Sequence, residues 1–278
     1  MGDHFSAFSF VDRIRGYTRR GPRARGFFTI PEGLDAFPSC LVAEAVGQLA
    51  SWVAMDHIDF RGRPVAALAL ETRFLRDVKP GETLELGVEL ESCDDEAVSY
   101  RGWADVDGAR ALELIDCLGP MLPLDEFDSP IVLKERFDVL CGAGAPAGRF
   151  HGINGFRVEP GAIVPGKSAA ATLYVPEAAP FFHDHFPRRP VFPATLLLNE
   201  MIQLALNAAG SNGGGTMVPE RMTNVKVRSF TAPGQVLDLL AELEVSGGGA
   251  IVASLTARAE GRMVATARVD LSRRDSSS

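Results

Sequence analysis

The sequence has few cysteines, no long hydrophobic run and no excess of positive charge, and each of these absences narrows the range of functions. No apolar run approaches the roughly 18 residues that suggest a membrane span. The four cysteines are scattered without a CxxC pair, which favours reduced thiols over disulfides. A net charge of −8 argues against nucleic acid as a general partner. The N-terminal segment lacks the apolar region of a secretion signal, so we expect a cytoplasmic protein.

Histidine is scarce as well, with five in the chain. His183 and His185 form an HxH pair, a spacing that can bind metal. No third or fourth ligand is spaced nearby, so the sequence predicts no metal site.

What the chain does contain is typical of a globular protein. Of its 278 residues, 46% are hydrophobic and 23% are charged. Such a chain can bury a substantial core, in one large domain or two ordinary ones.

An internal repeat decides between these two arrangements. "FPSCLVAEAVGQLA" (37–50) aligns without a gap on "FPATLLLNEMIQLA" (192–205). Further along, "RFLRDVKPGETLELGVELE" (73–91) aligns on "KVRSFTAPGQVLDLLAELE" (226–244). In each half an apolar stretch without internal proline predicts a buried helix, and alternating apolar and polar residues after it predict strands. The sequence therefore predicts two copies of one α+β unit.

The repeat also sets the predicted boundaries. We expect a first unit over 1–123, a linker over 124–148 with a short helix, a second unit over 149–272 and a polar tail over 273–278. The linker has no counterpart elsewhere in the chain and ends in Gly, Ala and Pro.

The segment "FFHDHFPRRPVFPATLL" (181–197) resembles the loop-and-helix signature of the bacterial 3-hydroxyacyl-acyl-carrier-protein dehydratases of the FabZ and FabA types. "FSFVDRI" (8–14) is similar to the opening segment of these enzymes, and "VKVRSFTAPGQVL" (225–237) to a later strand pair. The resemblance implies a double hotdog, an α+β fold in which each of two tandem units wraps an antiparallel sheet around a long helix.

The resemblance also implies an acid–base pair shared between two hotdog units, with the acidic residue 14 positions after a histidine. His185 matches the histidine, but the position 14 residues later is Asn199. In the first half Glu44 matches the acid, whereas the histidine position is Ile30, and His4 and His57 lie elsewhere. The losses are complementary, so we expect one complete site that joins His185 to Glu44.

Glu200 is acidic too, but it lies one residue off the aligned face, about 100° around the helix, and we reject it. Gln48 and Gln203 repeat at the same helical place, which favours structural hydrogen bonds for both.

The implied activity is dehydration of a 3-hydroxyacyl thioester in fatty acid or polyketide-type biosynthesis, with His185 as base and Glu44 as acid. No cofactor is implied. Further residues of the signature are expected to bind the substrate: Ala194, Thr195, Phe186, Pro190, Arg188 and Arg189. The implied partner is an acyl carrier protein, through its phosphopantetheine arm, or acyl-CoA, and the double chains can associate further into a homo-oligomer. Two alternatives stay open: a hotdog thioesterase and a non-catalytic acyl-binding subunit.

Overall fold

The computed structural model describes residue 5 and residues 7–210, 216–245 and 250–274, which form three α-helices on a large antiparallel sheet. The helices are α1 (Ser39–His57), α2 (Pro130–Cys141) and α3 (Ala194–Ala209). The strands of the first half are β1 (Arg13–Arg15), β2 (Arg23–Thr29), β3 (Gly62–Pro64), β4 (Leu68–Phe74), β5 (Thr83–Cys93), β6 (Ala97–Val106) and β7 (Ala109–Pro123). Those of the second half are β8 (Arg157–Val164), β9 (Ser168–Tyr174), β10 (Thr216–Val227), β11 (Val236–Val245), β12 (Ile251–Ala259) and β13 (Arg262–Arg274).

The order of the strands shows the duplication directly. Within the described residues it runs β1-β2-β5-β6-β7-β4-β10-β13-β12-β11-β9-β8, with β3 paired beside β7. Outward from the β4–β10 contact, each half repeats the same sequence of strands. The two units are thus joined edge to edge, with Met222 opposite Thr72 and Val225 opposite Ala69. This is the architecture expected of a double hotdog.

The long helix of each half lies on its own part of the sheet. α1 packs on β5 and β6, α3 packs on β9 and β11, and the two helices also contact each other. Gly102 of β6 allows the close approach of α1, because a Cβ there would lie 2.4 Å from Cγ1 of Val46. Pro38 precedes the first turn of α1, and the helix ends before Asp59 and Phe60, which both have positive φ.

The predicted linker contains the expected helix, α2, which spans Pro130–Cys141. Its Phe137 is fully buried and packs against Tyr17, Trp52 and Phe60, so α2 covers the C-terminal end of α1. The last strand continues to Arg274, two residues past the predicted end of the second unit, and the rest of the predicted tail, 275–278, lies outside the described residues. None of the described helices is long and apolar enough to cross a membrane.

Candidate active site

A cavity of about 220 Å³ lies between the two helices and the β4–β10 contact. Its wall takes one face of α1, the first residues of α3, the 184–192 loop and strands from both halves. Glu44, His185, Phe186, Ala194 and Thr195 are all in this wall, so the structure brings five of the predicted site residues together.

Glu44 projects from the middle of α1 and is partly buried, with both carboxylate oxygens bonded. Thr195 Oγ1 donates to Oε2 at 2.7 Å, and Gln48 Nε2 donates to Oε1 at 3.0 Å. Thr195 belongs to the second half, so the carboxylate is held from both units. Gln48 also binds the backbone at Phe8 and Phe10, which confirms its structural role. Gln203 is exposed instead, and the structural role predicted for it is wrong.

His185 is oriented by the loop that carries it. Its Nδ1 lies 2.8 Å from the carbonyl oxygen of Val191, and the backbone N–H of Val191 donates back to the His185 carbonyl at 3.1 Å. Because a carbonyl oxygen only accepts, Nδ1 carries the proton and Nε2 is left as the basic nitrogen.

The pKa of His185 is lowered from its ordinary value. Loss of hydration in the cavity wall is the main cause, and the positive charge of Arg63 adds to it. The charge of Glu44 and the Val191 carbonyl act in the opposite direction without reversing the shift. The imidazole is therefore held mostly neutral at pH 7, and Glu44 lines the same cavity.

Asp184 ties the loop to the start of the chain. Its Oδ2 accepts hydrogen bonds from the backbone N–H groups of Ala7 at 3.1 Å and Phe8 at 2.9 Å. The ring of Phe8 in turn packs edge-on against the His185 imidazole, with centroids 5.5 Å apart. The histidine is thus fixed by residues from both halves.

The N-terminus of α3 supplies two backbone donors to the cavity. The N–H groups of Leu196 and Leu197 bond to the Pro193 carbonyl, whereas those of Ala194 and Thr195 have no acceptor among the described residues. Both residues line the cavity, and an oxygen atom of a ligand could accept from them.

Pro190, Arg188 and Arg189 lie outside the cavity wall. Arg188 donates to the carbonyl oxygen of Asp125 at 2.9 Å, and Arg189 pairs with Glu126 at 2.8 Å. Both arginines therefore hold the 124–126 segment against the loop, which is a structural contact that their place in the motif does not reveal.

The position on α3 that aligns with Glu44, Asn199, is not part of an acid–base pair. Ile30 is fully buried, and Asn199 donates to Glu200 at 3.1 Å. Burial raises the pKa of Glu200, and it raises that of the neighbouring Cys40 thiol to about 12, with help from the Glu200 charge. Of these four residues, only Cys40 touches the cavity.

The cavity exists because one face of α1 carries small side chains. Ala43, Gly47 and Ser51 lie one turn apart and line it. The residues of α3 that align with them are Leu198, Ile202 and Leu206. Aligning the two halves could have revealed this contrast, since it needs no knowledge of the fold.

Besides Asp184, three charged residues of the cavity wall were not predicted. Arg63 comes from β3, while Asp128 and Arg136 come from the linker and face each other at 3.7 Å. None belongs to the repeat or to a recognisable motif, so the sequence offered no signal for them.

The other described histidines, His57, His151 and His183, lie outside the cavity wall, and His4 lies outside the described residues. Within the described chain, no three His, Cys, Asp or Glu side chains are grouped so that they could hold a metal ion.

Comparison with known proteins bears on the family and the fold of the chain. Residues 163–267 match the ApeI-like family, described as ApeI dehydratase. A 3-hydroxyacyl-(acyl-carrier-protein) dehydratase FabZ from Ruminiclostridium cellulolyticum is 32% identical over 110 residues, which cover 38% of this chain and 78% of the relative.

Solved structures extend the likeness to the whole chain. A tesB protein from Mycobacterium avium subs paratuberculosis covers 94% of the chain and is itself covered to 96%, with a TM-score of 0.58 and 15% identity. A hot dog fold protein from Alicyclobacillus acidocaldarius covers 100% of both chains, with a TM-score of 0.54 and 13% identity. These likenesses concern the fold, and they confirm the predicted double hotdog. The chain therefore belongs to the FabZ-type 3-hydroxyacyl-acyl-carrier-protein dehydratase family, with two hotdog units in one polypeptide.

Proposed function

We propose that the chain removes water from a 3-hydroxyacyl thioester at one composite site built from both halves. The observation that carries this proposal is the pairing of Glu44 with His185 on one cavity, each fixed by hydrogen bonds to its own surroundings. An acid and a base on one cavity are what an elimination needs.

His185 is the base in this reaction. Its Nε2 takes the proton from C2 of the acyl chain, next to the thioester carbonyl. The lowered pKa keeps the imidazole neutral near pH 7, as a base must be before it accepts a proton. Its hydrogen bond to Val191 stabilises the imidazolium that forms.

Glu44 is the acid. The electron pair of the broken C2–H bond forms the C2=C3 double bond, the C3–O bond breaks, and the hydroxyl leaves as water with a proton from Glu44. The proton on His185 then returns to Glu44 through solvent, which closes the cycle. Thr195 and Gln48 keep the carboxyl group oriented toward the cavity.

Negative charge develops on the thioester oxygen when the C2 proton leaves. The backbone N–H groups of Ala194 and Thr195, at the N-terminus of α3, are placed to donate hydrogen bonds to this oxygen. Backbone donors do not depend on the side chain, so the alanine at position 194 is compatible with this role.

The acyl group would arrive on a phosphopantetheine arm, from an acyl carrier protein or coenzyme A. Several wall residues are exposed and form the opening of the cavity: Ala66, Leu68, Leu118 and Ser229. A mostly apolar opening suits a flexible arm that must pass into a buried site.

The test is to incubate the protein with 3-hydroxybutyryl-CoA and 3-hydroxydecanoyl-CoA, and to follow enoyl thioester and free thiol in the same reaction. We expect enoyl thioester without thiol. Free thiol without enoyl thioester would favour a thioesterase instead, and the absence of both products would favour a binding protein.

A further inference from the structure

One part of the cavity wall is polar in a way that the dehydration chemistry does not use. Ser51 Oγ, Arg63 Nε and Asp128 Oδ2 are buried atoms with no hydrogen-bond partner among the described residues. All three side chains line the cavity. A buried polar atom without a partner costs about 1–3 kcal/mol, so a cluster of them indicates that something binds there.

Arg63 is the centre of this cluster. Its guanidinium carbon lies 4.1 Å from the centre of the Phe186 ring, and the same ring stacks on His185 with centroids 4.1 Å apart. The Arg63 side chain forms no hydrogen bond or ion pair within the described parts of the chain. An arginine with five N–H donors is thus held at the wall, next to the acid–base pair, with its donors available.

The charges around Arg63 indicate which ligand it would accept. The carboxyl groups of Asp128, Glu44 and Asp184 all act on it, as does one further cation, Arg136. Loss of hydration lowers the pKa of Arg63 to about 10, which leaves it charged at pH 7. With Glu44 protonated, as the proposed mechanism requires, Asp128 and Asp184 balance the two arginines, so an anionic ligand would gain no net attraction, whereas a neutral oxygen would meet free donors.

We propose that Arg63, Ser51 and Asp128 form a polar subsite that binds a neutral oxygen function of the thioester substrate. Arg63 and Ser51 donate to this oxygen, and Asp128 accepts if the oxygen belongs to a hydroxyl group. Ser51 lies seven residues after Glu44, about 10 Å along the axis of α1, so the subsite extends beyond the reacting carbons. This inference rests on the proposed function for the nature of the ligand, and it names an additional requirement on that ligand.

Two parts of a substrate could supply such an oxygen. One is the phosphopantetheine arm and its thioester, whose carbonyl groups are the same in every substrate. The other is an oxygen borne by the acyl chain, which would restrict the enzyme to oxygenated chains. The chemistry at Arg63 is the same in both cases, and binding measurements can separate them.

The probes are pantetheine thioethers with a 2-oxoheptyl chain, in which a methylene group separates sulfur from the carbonyl. They can neither lose water nor release thiol. A matched set carries one hydroxyl group at C5, C6 or C7 of the chain, so the carbon β to the carbonyl, C4, has no hydroxyl group to lose. Dissociation constants are measured by calorimetry for the wild-type protein and for Arg63→Met.

We expect Arg63→Met to weaken binding on the order of 10- to 100-fold, because a charge-assisted hydrogen bond is lost. Equal weakening for all probes would assign the oxygen to the pantetheine arm and its carbonyl. Weakening confined to hydroxylated probes, which the wild type would bind more tightly, would assign it to the acyl chain. Unchanged affinity for every probe would overturn the subsite.

The matched control is Arg61→Met. Arg61 lies two residues away, with its side chain 60% exposed and paired to Asp95, so its loss should leave every dissociation constant unchanged. If Arg63→Met does not fold, Arg63→Gln serves the same comparison, because glutamine is about as long as methionine and also removes the charge. Because the probes are inert, probe binding without enoyl formation in the activity assay would remove the dehydratase proposal and leave this subsite in place.

Discussion

Glu44 and His185 depend on neighbours that come from both halves of the chain. Thr195, on the second helix, holds the carboxylate of the first, and the first-half residues Ala7 and Phe8 hold Asp184 next to His185. The repeat and the loop signature were enough to predict the pair. They could not predict the neighbours, because Asp184 and Arg63 act through positions that only the folded chain brings together.

His185→Ala and Glu44→Gln should each lower the turnover of dehydration about 100- to 10,000-fold, since each removes one of two proton-transfer groups. Thermal unfolding should change little, because both side chains face the cavity rather than the packed core. Turnover near the wild-type value in either variant would mean that the assignment is wrong.

Asn199→Ala is the matched control at the aligned position of the other helix. The second site that the repeat would form has Ile30 at its histidine position, so turnover should stay near the wild-type value. A loss equal to that of Glu44→Gln, with unchanged folding, would show that this second position also catalyses.

The pH dependence follows from the lowered pKa of His185. A base works in its neutral form, so kcat/KM should fall as pH drops through the pKa of the folded enzyme. That pKa lies below the ordinary value of about 6.5. We therefore expect kcat/KM to persist below pH 6.5, measured in buffers of constant ionic strength. An acidic limb centred above pH 6.5 would contradict the shift.

At the scale of the elements, the two long helices have diverged. Small residues on α1 leave room for a ligand, while Leu198, Ile202 and Leu206 occupy the aligned positions of α3. The helices and strands were predictable from their apolar periodicity. The contribution of α2 to the cavity was not, since Leu133 and Arg136 reach it only because Phe137 anchors that helix on α1.

Gly47→Ile gives α1 the large side chain that α3 carries at the aligned position, Ile202, and should close the cavity. A Cβ at Gly47 meets only Tyr100 Oη, at 3.5 Å, so Gly47→Ala should be tolerated and the longer side chain should not. We expect dehydration of 3-hydroxydecanoyl-CoA to fall more than that of 3-hydroxybutyryl-CoA, as measured by kcat/KM. This expectation places the acyl chain along the small residues of α1, and equal kcat/KM for wild type and Gly47→Ile with the longer substrate would contradict it.

Phe137→Ala should destabilise the protein by about 3–5 kcal/mol, as for other fully buried aromatic residues. The ring contacts Tyr17, Trp52 and Phe60 with centroids 5.7–6.1 Å apart, so its removal leaves a cavity under α2. Urea unfolding measures the change. Ile131→Ala, on the same helix but 71% exposed, is the control and should cost little.

At the scale of the whole molecule, the duplication is consistent with the proposal that one complete pair carries the reaction. The two units are joined through β4 and β10 and by the linker, which keeps the second unit at high effective concentration beside the first. Each unit could then lose the residue that the other retained. The unit boundaries at 123 and 149 remain predictions. Expressing each unit alone and measuring whether it folds would test them.

The most direct test of a composite site within one chain is to unfold His185→Ala and Glu44→Gln proteins together, refold the mixture and measure dehydration. In a site formed within one chain, every molecule keeps one defective residue, so we predict no activity above that of the separate variants. In a site formed between chains, mixed pairs would combine an intact His185 with an intact Glu44. Recovery of about a quarter of the activity of identically refolded wild-type protein, as random pairing of two chains gives, would contradict the account.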